Sequence, residues 1–240
     1  MAGNGAVVII GGSSGIGLAV ARRCLADGHR VMIAGRSAER LDAARVQLGK
    51  PQQLEVLQAD IGVKADLEAL FGRAGTVAHV VVTAADLPYG RLAALAEDSM
   101  ERAVRSKVLG PLLTAQAAAP RMAADGSITY TSGVAAYRPA PGGTLTAAVN
   151  GALEAMVRAL ALELAPLRVN AVSPGWVDTP VWDHIAAPEV KEARLAEMAA
   201  RLPGGRNGRP EDAANAVMFL MSDNFITGTV LHAEGGQLLV

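Results

Sequence analysis

A single cysteine, Cys24, in 240 residues leaves no partner for an internal disulfide and no thiolate set for a zinc cluster. A reducing compartment suits it, and a cytoplasmic location is the expectation. Aromatic residues make up only 3% of the chain, so the core must be built from Ala, Val and Leu around 26 glycines. Small aliphatic side chains suit a parallel sheet between helices better than an aromatic-rich sandwich. Neither sign of charge dominates: 22 Lys and Arg stand against 23 Asp and Glu, a formal net charge of −1. Without a surplus positive field, a nucleic-acid partner is not expected. The first residues show no basic region followed by an apolar run, and no apolar stretch approaches about eighteen residues. Neither a signal peptide nor a membrane span is expected.

What is present is a rhythm. Apolar runs alternate with helix-period segments roughly every 25 to 30 residues, the pattern of repeated βαβ units. Strands are expected at Ala6–Ile10, Arg30–Ala34, Leu54–Ala59, His79–Thr83, Ser127–Thr131, Arg168–Val172 and Val230–Ala233. Most lack polar alternation, which indicates burial on both faces. A helix starting near Gly15 stops at Gly28, and Ser37 is placed to cap another that ends at Gly49. The fold class expected is α/β: one doubly wound domain over residues 1–240, a seven-stranded parallel sheet flanked by helices. The segment from about Leu145 to Ala165 is apolar around its circumference, so it is expected to cover the sheet on one side and a partner subunit on the other.

The first strand runs into Gly11-Gly12-Ser13-Ser14-Gly15-Ile16-Gly17, and a helix follows. Glycine lets the backbone approach a pyrophosphate, and the helix N-terminus offers free N–H groups and the positive end of its dipole. The second strand ends Ala34-Gly35-Arg36-Ser37. A carboxylate there would bind the ribose 2′-OH of NAD; Gly35 supplies none, and Arg36 can pair with a 2′-phosphate. NADP(H) is the cofactor expected.

These residues resemble the short-chain dehydrogenase/reductase family. Gly11-x-x-x-Gly15-Ile16-Gly17 is similar to its cofactor motif, Asp60-Ile61 to its adenine-side contact, and Arg168 to Gly175 to its sixth strand and nicotinamide-side turn. The resemblance implies a Rossmann-type fold and a dimer or tetramer. It adds Thr83, Ala84, Ala85, Pro174, Gly175, Val177 and Thr179 to Ser13, Ser14 and Arg36 as cofactor-side residues. Ala233-Glu234-Gly235-Gly236 is similar to the family's closing Asp-Gly-Gly.

The family's proton chemistry rests on a Ser, on Tyr-x-x-x-Lys, where the ammonium beneath the phenol lowers its pKa, and on an Asn of the preceding helix. Ser132 matches the serine. Thr146 stands at the tyrosine position, Asn150 at the lysine position and Lys107 in place of the Asn. The only tyrosines are Tyr89, Tyr130 and Tyr137, and the lysines are Lys50, Lys64, Lys107 and Lys191, so Tyr-x-x-x-Lys occurs nowhere. Thr83-Ala84-Ala85-Asp86 replaces the family's Asn-Asn-Ala-Gly. A threonine hydroxyl is a far poorer acid than an assisted phenol.

Four groups are candidates to act instead. Lys107 is expected to point toward the carboxyl end of the sheet, where burial depresses its pKa, with a solvent-directed stem as the alternative. Tyr137 could return a phenol from the loop Gly133–Gly143, or only pack there. His184 has a pKa suited to general acid work or to recognition, and Asp86 could hold an iminium or cap a turn. Trp176, Val177, Val181 and Trp182 are expected to line an apolar pocket under a lid over roughly 174–210, with Pro203-Gly204-Gly205-Arg206 as its hinge. No metal is expected. The leading expectation is an NADPH-dependent reductase of a small carbonyl, imine, iminium or activated alkene. A non-redox NADP(H) binder, acting as sensor, scaffold or lyase, is the alternative.

Overall fold

The computed structural model describes residues 5–180 and 188–240. Seven strands form one parallel sheet in the order β3-β2-β1-β4-β5-β6-β7. They are β1 (Ala6–Ile10), β2 (Val31–Gly35), β3 (Leu54–Gln58), β4 (Val77–Val82), β5 (Met122–Thr131), β6 (Arg168–Pro174) and β7 (Val230–Ala233). The helices are α1 (Gly15–Ala26), α2 (Ala38–Gln47), α3 (Lys64–Ala74), α4 (Glu97–Val104), α5 (Gly110–Ala118), α6 (Thr144–Glu163), α7 (Pro188–Arg201) and α8 (Pro210–Ser222). A π-helical turn, Arg105–Leu109, joins α4 to α5.

Successive side chains of a strand face opposite sides, and β1 shows what this does to the core. Ala6, Val8 and Ile10 pack with Leu67 and Phe71 of α3, Ala115 of α5 and Leu153 of α6. Val7 and Ile9 pack with Leu18 of α1, Leu41 of α2 and Val217 of α8. A strand buried on both faces needs no polar alternation, which is why β1 reads as an unbroken apolar run. The chain order reverses between β1 and β4, and a ligand crevice opens there at the carboxyl ends of the strands.

β1 and β7 occupy the expected residues; the other strands correct the sequence reading. β2 is shifted by one residue, and β3 ends at Gln58. β4 starts earlier because Val77 pairs with Ala6, and it ends earlier because Thr83 turns to bond the glycine loop. β5 reaches back to Met122, paired with Val77, and β6 runs on to pair Pro174 with Ala233. Ser37 caps α2 as expected, its Oγ accepting the Arg40 N–H at 3.1 Å. Asn170 braces the sheet edge: its amide donates to Ile226 O at 2.9 Å and accepts from Thr229 N at 3.1 Å.

The expectation about long apolar stretches also needs correcting. α6 is, by length and composition, apolar enough to cross a bilayer. One stripe of it, Leu153, Val157, Leu160 and Ala161, is buried in the sheet-packed core instead.

Candidate active site

At the crevice a cavity of about 770 Å³ is walled by the glycine turn and the ends of β2, β3 and β4. Gly11, Ser13, Ser14, Gly15 and Ile16 line one side. Gly11 has φ +95°, and a Cβ there would lie 2.5 Å from Ala84 N and 2.6 Å from Thr83 Oγ1. A Cβ on Gly17 would meet Gly11 O and lie 2.6 Å from Thr83 Oγ1. The turn is therefore pressed against the end of β4, where Thr83 Oγ1 donates to Gly11 O at 3.1 Å. Ser14 stands at the N-cap of α1 with no side-chain capping bond, so the first N–H groups of the helix remain for a ligand. An anion-binding cradle on a bare backbone fits a dinucleotide pyrophosphate.

Arg36, Asp60 and Ile61 close the far end, and Thr83, Ala84 and Ala85 form the opposite wall. Asp60 holds its own loop, Oδ1 accepting the Gly62 N–H at 2.8 Å. Arg36 is in the expected place and already has a partner: its Nη1 lies 2.9 Å from Asp86 Oδ2, and Arg102 Nε is 4.0 Å from the same oxygen. Asp86, which lines the same cavity, is paired with both guanidiniums.

A second cavity of about 500 Å³, mostly apolar, adjoins the first. Pro174, Gly175, Trp176 and Val177 lie on its wall. Ile16, Leu87, Tyr89 and Thr179 belong to both cavities and mark where they meet. A Cβ on Gly15 would lie 3.3 Å from Thr179 Cγ2, so Thr179 sits directly over the turn. Thr146 and Asn150 line the second cavity; both are buried, and Asn150 Oδ1 has no hydrogen-bond partner. The expected hinge is pinned, with Gly204 N–H donating to Gly235 O at 2.9 Å and Arg206 paired with Asp212 at 2.6 Å. Val181, Trp182 and His184 lie outside the described residues.

Ser132 lines the second cavity with Thr146 and Asn150, and its Oγ donates to Glu154 Oε1 at 2.6 Å. The residue that faces Asn150 is Gly133, whose missing Cβ would lie 2.9 Å from Asn150 Nδ2. Tyr137 shares that carboxylate: its Oη donates to Glu154 Oε2 at 2.5 Å, and its ring meets His232 edge to face at 4.8 Å. Burial and the neighbouring carboxylate push the Tyr137 phenol up to about 12.

Lys107 points inward as expected. Its Nζ donates to the carbonyl oxygens of Thr131 and Ser132, and only 4% of the residue is exposed. Burial brings the ammonium down to about 8, against the upward pull of Glu154. Unfolded, the amine titrates near 10.5, so between pH 8 and 10.5 the unfolded chain binds more protons and stability rises with pH. Cys24, lifted by burial from 9.0 to about 12, opposes this above pH 9. We expect the stability of the wild type relative to Lys107→Met to rise by about 1 kcal/mol from pH 8 to pH 9 in urea unfolding. Parallel profiles for the two proteins would mean that Lys107 carries no buried charge.

A family model described as enoyl-(acyl carrier protein) reductase matches residues 10–237. Short-chain dehydrogenase/reductase ATR9 of Stachybotrys chlorohalonatus is 38% identical, covering 97% of this chain and 96% of that protein. The chain belongs to the short-chain dehydrogenase/reductase family. Among solved members, the MalC reductase/Diels-Alderase of Malbranchea aurantiaca superposes with a TM-score of 0.90 at 34% identity, over 98% of this chain and 96% of that one. A small-chain dehydrogenase in complex with NADPH gives 0.86 at 31% identity, covering 98% and 99%.

Within this short-chain dehydrogenase/reductase two site residues escaped the sequence reading. Glu154 is the carboxylate on the helix stripe that meets Ser132, and an acid amid Ala152, Leu153, Met156 and Val157 was the available signal. Tyr89 stands in Leu87-Pro88-Tyr89-Gly90, beyond the end of β4. An aromatic between Pro and Gly at the carboxyl edge of a parallel sheet was the signal there.

Proposed function

We propose that this member of the family is an NADPH-dependent reductase that delivers hydride to a small carbonyl, iminium or activated alkene. The observation that carries the reading is the junction of the two cavities at Ile16, Leu87, Tyr89 and Thr179, which opens the glycine cradle directly onto an apolar chamber. Gly11, Gly15 and Gly17 with the α1 N-terminus would hold the pyrophosphate, Arg36 a 2′-phosphate, and Thr179 the nicotinamide end. The cofactor, when bound, supplies the hydride. The chain's own residues bind, orient and exclude water, and an acceptor that is already cationic needs little more. The likeness to a protein titled reductase/Diels-Alderase and to one bound to NADPH supports reduction with the phosphorylated cofactor. A second copy of the chain against α6 belongs to the same reading, supported by Leu162, 82% exposed on that helix.

Fluorescence titration of Arg36→Ala tests the cofactor. NADPH should weaken about tenfold or more, as expected for loss of a charge-assisted contact, and NADH should change less than about threefold. Equal losses would contradict the 2′-phosphate assignment. NADPH consumption over ketone, iminium and enone panels tests the reaction. Loss of Tyr-x-x-x-Lys favours the second reading, a non-redox NADP(H) binder, and tight NADPH binding without turnover on every panel would establish it.

A further inference from the structure

Of the three tyrosines, two have phenols already committed. Tyr130 is fully buried and donates to Pro111 O at 3.0 Å, and Tyr137 donates to Glu154. Tyr89 is the one that reaches the junction and borders both cavities. Its loop is anchored on either side: Asp86 N–H donates to Ser106 Oγ at 3.0 Å, and Gly90 N–H donates to Gly142 O at 3.1 Å, just ahead of α6. The second anchor ties Tyr89 to the start of the helix that carries Thr146. Burial raises the Tyr89 phenol on balance, and the Thr146 hydroxyl only partly offsets it. Thr146 and Asn150, both buried, line the same chamber, and Asn150 Oδ1 is unpartnered. An unpartnered buried amide oxygen is costly unless a ligand completes it.

We infer that Tyr89, entering from the loop after β4, is the hydroxyl donor to the reacting oxygen of the substrate, with Thr146 as its positioning residue. The inference rests on the reductase reading. As hydride reaches the carbon, the C=O electron pair passes to oxygen, the Tyr89 O–H bond breaks and its proton goes to that oxygen. Tyr89 is 47% exposed, so water returns the proton to the phenolate. An enone reduced at its alkene is served in the same way, through protonation of the enolate oxygen. An iminium becomes an amine on hydride addition alone and needs no such proton. Tyr89 therefore serves acceptors whose oxygen carries the developing charge and is dispensable for an iminium.

Two measurements test this. Protein labelled with 3-fluorotyrosine has three fluorine resonances, and Tyr89→Phe assigns one of them. With NADP⁺ present, cyclohex-2-enone should shift the Tyr89 resonance and leave that of Tyr130 in place; a Tyr89 resonance unmoved at saturating enone overturns the assignment. In turnover, Tyr89→Phe should lower kcat for the enone about a hundredfold, the scale of a lost general acid, and leave iminium reduction within about threefold. Wild-type turnover with an equal rate in the variant overturns Tyr89 and leaves the reductase standing. No wild-type turnover on any panel overturns the reductase, and the fluorine titration still decides whether Tyr89 meets a carbonyl oxygen.

Discussion

Gly17→Ala is expected to abolish nucleotide binding: a loss of more than about a hundredfold in NADPH affinity, with a protein that still unfolds cooperatively. The added methyl would drive into Gly11 O and Thr83 Oγ1, and neither can retreat. Gly11 O accepts from Thr83 Oγ1, while Gly11 N–H donates to Ala34 O at 2.8 Å and Thr83 N–H to Ile10 O at 2.8 Å, so three strand ends clamp the turn. Overpacking of this kind costs about 1–3 kcal/mol of stability when the backbone moves to relieve it. That movement displaces the N–H groups a pyrophosphate needs, which is why binding should suffer more than folding. Calorimetric titration beside thermal unfolding separates the two effects. Gly28→Ala is the control: that glycine has φ +83° with nothing within 4 Å of its Cβ position, so it should lose stability and keep its NADPH affinity.

Glu154→Ala is expected to be the most damaging change outside the glycine turn, lowering unfolding free energy by about 3–5 kcal/mol. The carboxylate is 4% exposed and accepts from two hydroxyls. Ser132, at 6% exposure, would be left without an acceptor, whereas the half-exposed Tyr137 can turn to water. Lys107 would also lose the charge that offsets its burial. Glu154→Gln keeps one acceptor oxygen for Ser132 and should cost less than half as much. Urea denaturation near pH 7 reads both variants, and an alanine protein within about 0.5 kcal/mol of wild type would show that water replaces the carboxylate.

Much of the fold was legible for one reason: in a doubly wound sheet the central strands are apolar on both faces, so β1 declares itself without context. The glycine turn was legible because its spacing has a steric cause that survives in any sequence. Strand β5 was not fully legible, because Met122–Gly126 is partly polar and is recruited by the pairing of Met122 with Val77. Side-chain direction at its far end was lost for a smaller reason. Thr131 lines the nucleotide crevice, Ser132 lines the second cavity with its Oγ turned to Glu154, and Gly133 lies against Asn150, so neighbouring residues serve different walls. Tyr89 and Glu154 belong to contacts that only tertiary closure creates, between residues 17 and 57 positions apart.

The π-helical turn at Arg105–Leu109 buries two successive residues that face different strand ends. Ser106 receives the N–H of Asp86 beyond β4, and Lys107 reaches the carbonyls of Thr131 and Ser132 at the end of β5. An ordinary α-helix turns by about 100° per residue, and such turns commonly arise from one residue inserted into a regular helix. Excising a single residue here would leave the composition nearly untouched yet rotate everything downstream by that angle. Pro111 would then no longer meet Tyr130, and two loops on either side of the crevice would lose their common tether. Insertions and deletions at this turn should therefore be far less tolerated than the substitutions that already distinguish it.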